Sequence, residues 1–298
     1  MEIGALAQLG ECHTGSVDVS GSSPLCSTIF LEEKMKQLLF VFFILTVSLF
    51  ATDMVIEKID GTIENIPLSE ISNISFSETH IEPIERILFI GNSITYYNGG
   101  VDFHLQELVN AEGGNLLYCN SITQGGATLE NHWNNPSVHL EIANGNYDIV
   151  VLQERTSWPV DNPELFYEYA TRLDSLITAS GSETVIFFSP PYRSVFDEMI
   201  AEQTIAFEHI SDELDVMVVQ VARAWQLSIA QNSNLELYMQ DGNHPNNFGT
   251  YLNVCTFYAY LWQSSPVGFE YVNDAEIDAV TREFLQQIAW DTFLEMGN

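Results

Sequence analysis

The sequence predicts an α/β fold: a three-layer αβα sandwich around a central parallel five-stranded sheet, preceded by a small β-hairpin segment. From about residue 84, short apolar runs alternate with longer amphipathic stretches. After their first residue, runs such as DIVVL (148–152) and TVIFF (184–188) are apolar without a break, as expected of strands covered on both faces. Strand and helix in alternation give parallel pairs joined by right-handed crossovers, and hence helices on both sides of one sheet.

Taken in order, the expected strands are 86–90, 115–119, 148–152, 184–188 and 215–219. The expected helices are 101–111, 163–179, 195–214, 248–262 and 275–295. Ahead of them, residues 54–77 alternate apolar and polar side chains on either side of Asp60-Gly61. Asp-Gly supplies the positive φ angles of a tight hairpin turn. A hairpin is expected there, then a short strand near Ile74 to Phe76. This stretch resembles a hairpin segment of exported Bacteroidetes-type proteins, which gives a setting and not an activity.

The beginning of the chain needs a separate reading. Met35-Lys36-Gln37 is followed by an apolar run of 14 residues ending at Ala51. A short basic start, an apolar stretch and small residues at Ala51-Thr52 describe a secretory signal peptide. The run is shorter than the ~20 residues of a membrane span, although an anchor is the alternative. The expected division is residues 1–51 as an over-extended start plus a signal peptide (35–51), 52–83 as the hairpin appendage, and 84–298 as the main domain. The expected location is secreted, periplasmic or on a bacterial cell surface, with no stable membrane span after cleavage.

Apolar residues are 46% of the 298 and charged residues 17%, enough apolar content for a sizeable core. The formal charge is −32. Residues 1–51 hold five acids and two lysines, so the remainder keeps 36 acids against seven bases, of which only Lys58 is a lysine. A surface this acidic repels nucleic acid and anionic membrane. Of the four cysteines, Cys119 and Cys255 lie in the main domain. Both a disulfide and two buried thiols are open readings, and their spacing is not that of a metal site.

Sites in such sheets form at the carboxyl ends of the strands. The first strand ends in Gly91-Asn92-Ser93-Ile94-Thr95. Gly91 permits a sharp turn, and Ser93 then stands where a serine is exposed near backbone amides. Taken alone, a serine capping a turn explains it equally. In the last third stands Asp241-Gly242-Asn243-His244-Pro245, before a helical stretch. An Asp three residues before a His can hold the imidazole by Nδ1 and direct Nε2 at a hydroxyl, which activates a weak oxygen nucleophile. Pro245 restricts the backbone of His244. No other His or acid is placed to complete a metal site.

These two blocks, in this order, resemble the SGNH (GDSL-like) hydrolase superfamily, whose members begin with G-D-S after the first strand and end with D-x-x-H-P before the last helix. The resemblance spans about residues 84–296 and implies a flavodoxin-like three-layer domain. It implies Ser93 as nucleophile, His244 as general base and Asp241 as the residue that orients it, with Asn92 in place of the commoner Asp. It implies an oxyanion hole from the Ser93 N–H, a glycine N–H in the second block and an Asn side chain in the third. Gly126 is the expected glycine, with Gly125 a close rival. The third block departs from the pattern and reads Gln153-Glu154-Arg155-Thr156-Ser157-Trp158-Pro159. Gapless counting puts the Asn position near Thr156. Gln153 carries the same carboxamide on one more methylene and is the expected donor.

His132, Trp133 and Trp158 follow the second and third blocks and are expected at the rim, with the aromatics either stacking on a sugar ring or packing. Arg155 can bind an anionic group, but a partnership with Glu154 or another nearby acid is expected of it. The function so implied is an exported serine esterase that works through an acyl-enzyme, with carbohydrate O-acetyl groups as the expected substrate. It needs no cofactor and no metal, its partner being a small-molecule or polysaccharide ester. A lipase-like or simple-ester hydrolase, or a glycan-binding protein without turnover, are the alternatives. The oligomeric state is not legible.

Overall fold

A computed structural model describes residues 25–28, 44–47, 53–57, 63–67, 83–112 and 116–296. The chain divides into two units, Met1–Ile81 and Glu82–Asn298. In the first, β1 (Leu25–Thr28) pairs antiparallel with β2 (Ile44–Val47), and β3 (Asp53–Glu57) pairs antiparallel with β4 (Ile63–Pro67). The β3–β4 pair is the expected hairpin, in register from Asp53 opposite Pro67 to Glu57 opposite Ile63. The Asp60-Gly61 turn and the strand expected near Ile74 to Phe76 lie outside the described residues. Strands β1 and β2 are not expected from the sequence; β2 falls within the apolar run, where Ile, Thr and Val suit an extended backbone. Among the described residues, no helix is long and apolar enough to cross a membrane.

The second unit is built on five parallel strands: β5 (Arg86–Gly91), β6 (Tyr118–Thr123), β7 (Ile149–Leu152), β8 (Glu183–Phe187) and β9 (Met217–Val219). Their order across the sheet is β6-β5-β7-β8-β9. The chain therefore leaves β5 to one side for β6 and returns to the other side for β7. A crevice opens at such a reversal, outside the carboxyl ends of β5 and β7. The connecting helices are α1 (Ser93–Tyr96), α2 (Val101–Glu112), α3 (Leu129–Trp133), α4 (Pro136–Asn144), α5 (Trp158–Asp161), α6 (Pro163–Ala179), α7 (Phe196–Leu214), α8 (Val221–Gln231), α9 (Asn247–Trp262) and α10 (Ala279–Met296).

Alternation along the strands makes the layers. Ile87, Phe89, Val151, Val185 and Phe187 pack with α2, α8, α9 and α10. Leu88, Ile90, Val150, Leu152 and Ile186 pack with α3, α4, α6 and α7. Successive side chains of a strand point to opposite faces, so residues 87–90 and 149–152 are apolar throughout. Helix α9 is buried from Gly249 through Tyr260, which is why its sequence is apolar all round.

The expected strand 115–119 is displaced to Tyr118–Thr123. β6 is an edge strand that is half-buried rather than buried, so it carries Asn120, Ser121 and Thr123 instead of an apolar run. Asn120 is satisfied there by Glu141 and the Tyr147 hydroxyl. Helix α10 begins later than expected because Asp278 caps it, accepting from the Thr281 N–H. Cys119 and Cys255 are both free thiols, and Cys255 is buried.

Candidate active site

Ser93 is the first residue of α1, one residue beyond the end of β5. Its backbone N–H therefore has no intrahelical acceptor. The turn beneath it is held by buried side chains. Asn92 caps α1 by accepting from the Ile94 N–H, and its Nδ2 donates to the Ala127 carbonyl at 3.0 Å. An Asp at this position has no N–H to give that carbonyl, so Asn92 ties the serine turn to the second block. His132 Nε2 donates to the Gly91 carbonyl at 2.8 Å. Burial pushes the His132 imidazole below its ordinary range, which keeps it neutral. Gly91 serves close approach rather than a turn. A Cβ there would stand 2.6 Å from Thr95 Oγ1 and 2.7 Å from Gln153 Oε1.

The second half of the site is the loop from Tyr238 to Pro245, closed by a bridge between those two residues and by the Met239 N–H donating to the His244 carbonyl. Within it Asp241 Oδ1 accepts from the Asn243 and His244 N–H groups at 2.9 and 3.0 Å. Asp241 Oδ2 accepts from His244 Nδ1 at 2.7 Å, and His244 Nε2 stands 2.9 Å from Ser93 Oγ. Ser93, His244 and Asp241 thus form one hydrogen-bonded line. Desolvation acts to raise the Asp241 pKa, but the bonds from His244 and from the two backbone amides outweigh it and hold it at about 2.

Two residues join the halves, of which Asn98 is not singled out by the sequence. The Tyr97 ring stacks on the His244 ring, with centroids 4.0 Å apart and planes 11° apart. Asn98, at φ 54°, donates from Nδ2 to the Pro245 carbonyl at 2.8 Å. The Asn98-Gly99-Gly100 run was the available signal for a tight turn there. A third clamp is Arg193, which pairs with Glu236 at 2.7 Å and donates its backbone N–H to the Gly242 carbonyl.

A cavity of about 530 Å³ lies over Ser93 and His244. Gly125 and Gly126 both line it, and Gly126 has φ +68°, a conformation natural to glycine. Gln153 is not part of the lining. It is fully buried, its Oε1 accepts from the Asn92 N–H at 2.8 Å and from Thr95 Oγ1 at 3.1 Å, and its Nε2 donates to the Glu154 carbonyl. The reason is the strand period. The Gln153 N–H still bonds the Ile90 carbonyl, so Gln153 continues the β7 ladder and turns inward as Val151 does. Gln153 therefore supports the serine turn from below, and Thr156, the position reached by gapless counting, lines the cavity.

Of the two readings open for the tryptophans, packing is the one found. Trp133 packs against His139 and lies beneath Arg172. The Trp158 ring is covered by the Arg155 guanidinium at 5.0 Å. The aromatic lining comes from Tyr96, Tyr97 and Tyr192 instead. Glu154 is buried and accepts from the Leu129 and Arg155 N–H groups, so it ties the second block to the third. Burial dominates these bonds and pushes its carboxyl up to about 8.

No family model matches the chain, and no curated protein matches it in sequence. Several solved structures are similar. One is a protein from Slackia heliotrinireducens described as a candidate SGNH hydrolase, 27% identical, with a TM-score of 0.51 over 58% of this chain and 96% of that one. A DUF4886 family protein from Bacteroides uniformis is 17% identical, with a TM-score of 0.57 over 70% of this chain and 95% of that one. The lipase/acylhydrolase from Enterococcus faecalis is 17% identical, with a TM-score of 0.50 over 60% of this chain and 96% of that one.

Proposed function

We propose that this chain, which belongs by its fold to the SGNH hydrolase superfamily, is a serine esterase. The observation that carries the reading is the continuous line from Ser93 Oγ through His244 to Asp241, at 2.9 and 2.7 Å. It joins residues about 150 positions apart, and a binding module has no use for it.

The chemistry follows from that line. As Ser93 Oγ attacks the ester carbonyl carbon, its proton passes to His244 Nε2, and Asp241 stabilises the imidazolium through Nδ1. The carbonyl oxygen gains the negative charge. The Ser93 N–H and the Gly126 N–H are its donors in this reading. When the C–O bond to the alcohol breaks, His244 returns the proton to the leaving oxygen and an acyl-serine remains. Water then gives a proton to His244, attacks the acyl carbon and releases the acid. The lining is largely tyrosines and small polar residues, with no long apolar tunnel. A short acyl group such as acetyl fits it better than a fatty chain, and an O-acetylated carbohydrate is the proposed substrate.

The test is the purified protein assayed with p-nitrophenyl acetate and acetylated xylan beside Ser93→Ala. The expected loss in the variant is about 10⁴-fold or more. Equal rates for the two proteins would sink the esterase reading. Turnover of the simple ester without the polysaccharide would sink only the carbohydrate substrate.

A further inference from the structure

Arg155 stands out among the charged groups of the second unit. The chain has nine basic residues against 41 acidic ones, so a cation without an acidic partner is unusual here. Arg172, Arg193 and Arg282 each form an ion pair with a Glu. Arg86 donates to the Gly145 carbonyl, and Arg223 to Gln226. Among the described residues, only the Arg155 guanidinium has no protein acceptor. Its one side-chain contact of note is the Trp158 ring beneath it.

Its expected partner does not take it. Glu154 is buried and directs its carboxyl at the backbone N–H groups of Leu129 and Arg155, away from solvent. Burial also favours the neutral form of that carboxyl, so it leaves the charge of Arg155 largely uncancelled. Arg155 is exposed and lines the same cavity as Ser93 and His244. No Asp or Glu lines that cavity, although such residues are abundant elsewhere on the chain.

We propose that Arg155 is a specificity residue that binds a carboxylate on the ester substrate, so that the enzyme prefers acylated substrates carrying an acid group near the ester, as a uronate-bearing glycan does. The proposal rests on the esterase reading of the same site. The planar guanidinium presents its N–H donors in a fork that matches a carboxylate. The contact with the Trp158 ring attracts the guanidinium to one place, so less side-chain freedom is lost on binding. The general negative field of the protein repels acidic substrates; one local cation at the cavity admits them in a single orientation.

The experiment compares two acetate esters, 4-acetoxybenzoate and 4-acetoxybenzamide, which differ in carboxylate against neutral carboxamide. The reading is the ratio of their kcat/KM values in the wild type, Arg155→Met and Arg155→Lys. Dividing one protein's ratio by another's removes the difference in leaving groups. The expected result is a fall of about tenfold in the acid-to-amide ratio for Arg155→Met, partly restored by Arg155→Lys. Raising the salt concentration should shrink the wild-type preference. An unchanged ratio overturns the proposal and leaves the esterase standing. An equal loss on both esters also overturns it, since Arg155 would then act at the reacting carbonyl. If the wild type cleaves neither ester and Ser93→Ala behaves identically, the esterase reading itself fails and this proposal falls with it.

Discussion

The turn that carries Ser93 and the loop that carries Asp241 and His244 meet at the Ser93–His244 hydrogen bond, the Tyr97–His244 stack and the Asn98–Pro245 bond, but they are held by contrasting means. Asn92, Thr95, His132 and Gln153, which fix the serine turn, are all buried. On the other side the Asp241 side chain is 47% exposed and is fixed by bonds to amides two and three residues away, with Arg193 and Glu236 as a surface clamp. The contrast extends to charge. Glu154, in the third block, has its carboxyl pushed up to about 8, while that of Asp241 is held at about 2. The same functional group is displaced in opposite directions because one is deprived of water and the other keeps water and gains donors. Ser93 is thus placed by the core, and the His244–Asp241 pair by its own short loop.

The largest expected effect breaks the loop side. Asp241→Asn keeps the shape but no longer favours the Nδ1–H tautomer or the imidazolium of His244. A loss of about 10³ to 10⁴ in kcat is expected, with little change in thermal stability. A variant within tenfold of wild type would show that His244 is oriented by Tyr97 stacking alone. The Asp241 bonds add to stability above its ordinary pKa of 3.8 and lose that contribution as the pH falls toward 2. Because the group is exposed, that contribution is small.

The next effect breaks the core side. Gln153→Leu strands the Asn92 N–H in the interior and removes the acceptor of the Thr95 hydroxyl. Unfolding by denaturant should show a loss of about 1–3 kcal/mol. An oxyanion donor would behave differently: kcat would fall with the midpoint of unfolding unchanged. That pattern would return Gln153 to the role its carboxamide suggests in the sequence.

The smallest effect, measured per unit of pH, sharpens the contrast of charge. Since the folded pKa of Glu154 lies above its ordinary value of 4.5, the folded state holds its proton longer. Stability is therefore fully present below about pH 4.5 and is lost as the pH rises toward about 8, at up to ~1.4 kcal/mol per unit. Glu154→Gln should flatten that decline. An unaltered slope in the variant would mean that Glu154 titrates as an ordinary carboxylate.

Much of the fold was legible because a covered parallel sheet leaves a strong pattern. The runs at 86–90, 148–152 and 184–188 are apolar on both faces since helices cover both. Strand β6 was misplaced because an edge strand need not be apolar. Helices α1, α3, α4 and α5, all short, were not read, and neither was α8. In the site, Ser93, Asp241 and His244 announce themselves by residue type and order. Asn98 and Arg193 do not, since a left-handed turn and a surface clamp leave no pattern in the chain.

By itself the sequence determined the layer architecture, which side chains are proposed to react and the acidity of the surface. These depend on periodicity, on chemical type and on a count of charges, all local or additive properties. Only the tertiary structure decided which way each side chain of the third block faces. Gln153 turns inward because the β7 ladder runs one residue further than its apolar run. Arg155 is left at the cavity because the neighbouring Glu154 is buried against backbone amides. Direction in a strand reverses with every residue, so a shift of one position exchanges a cavity residue for a core residue, and only the register of the folded sheet settles which is which.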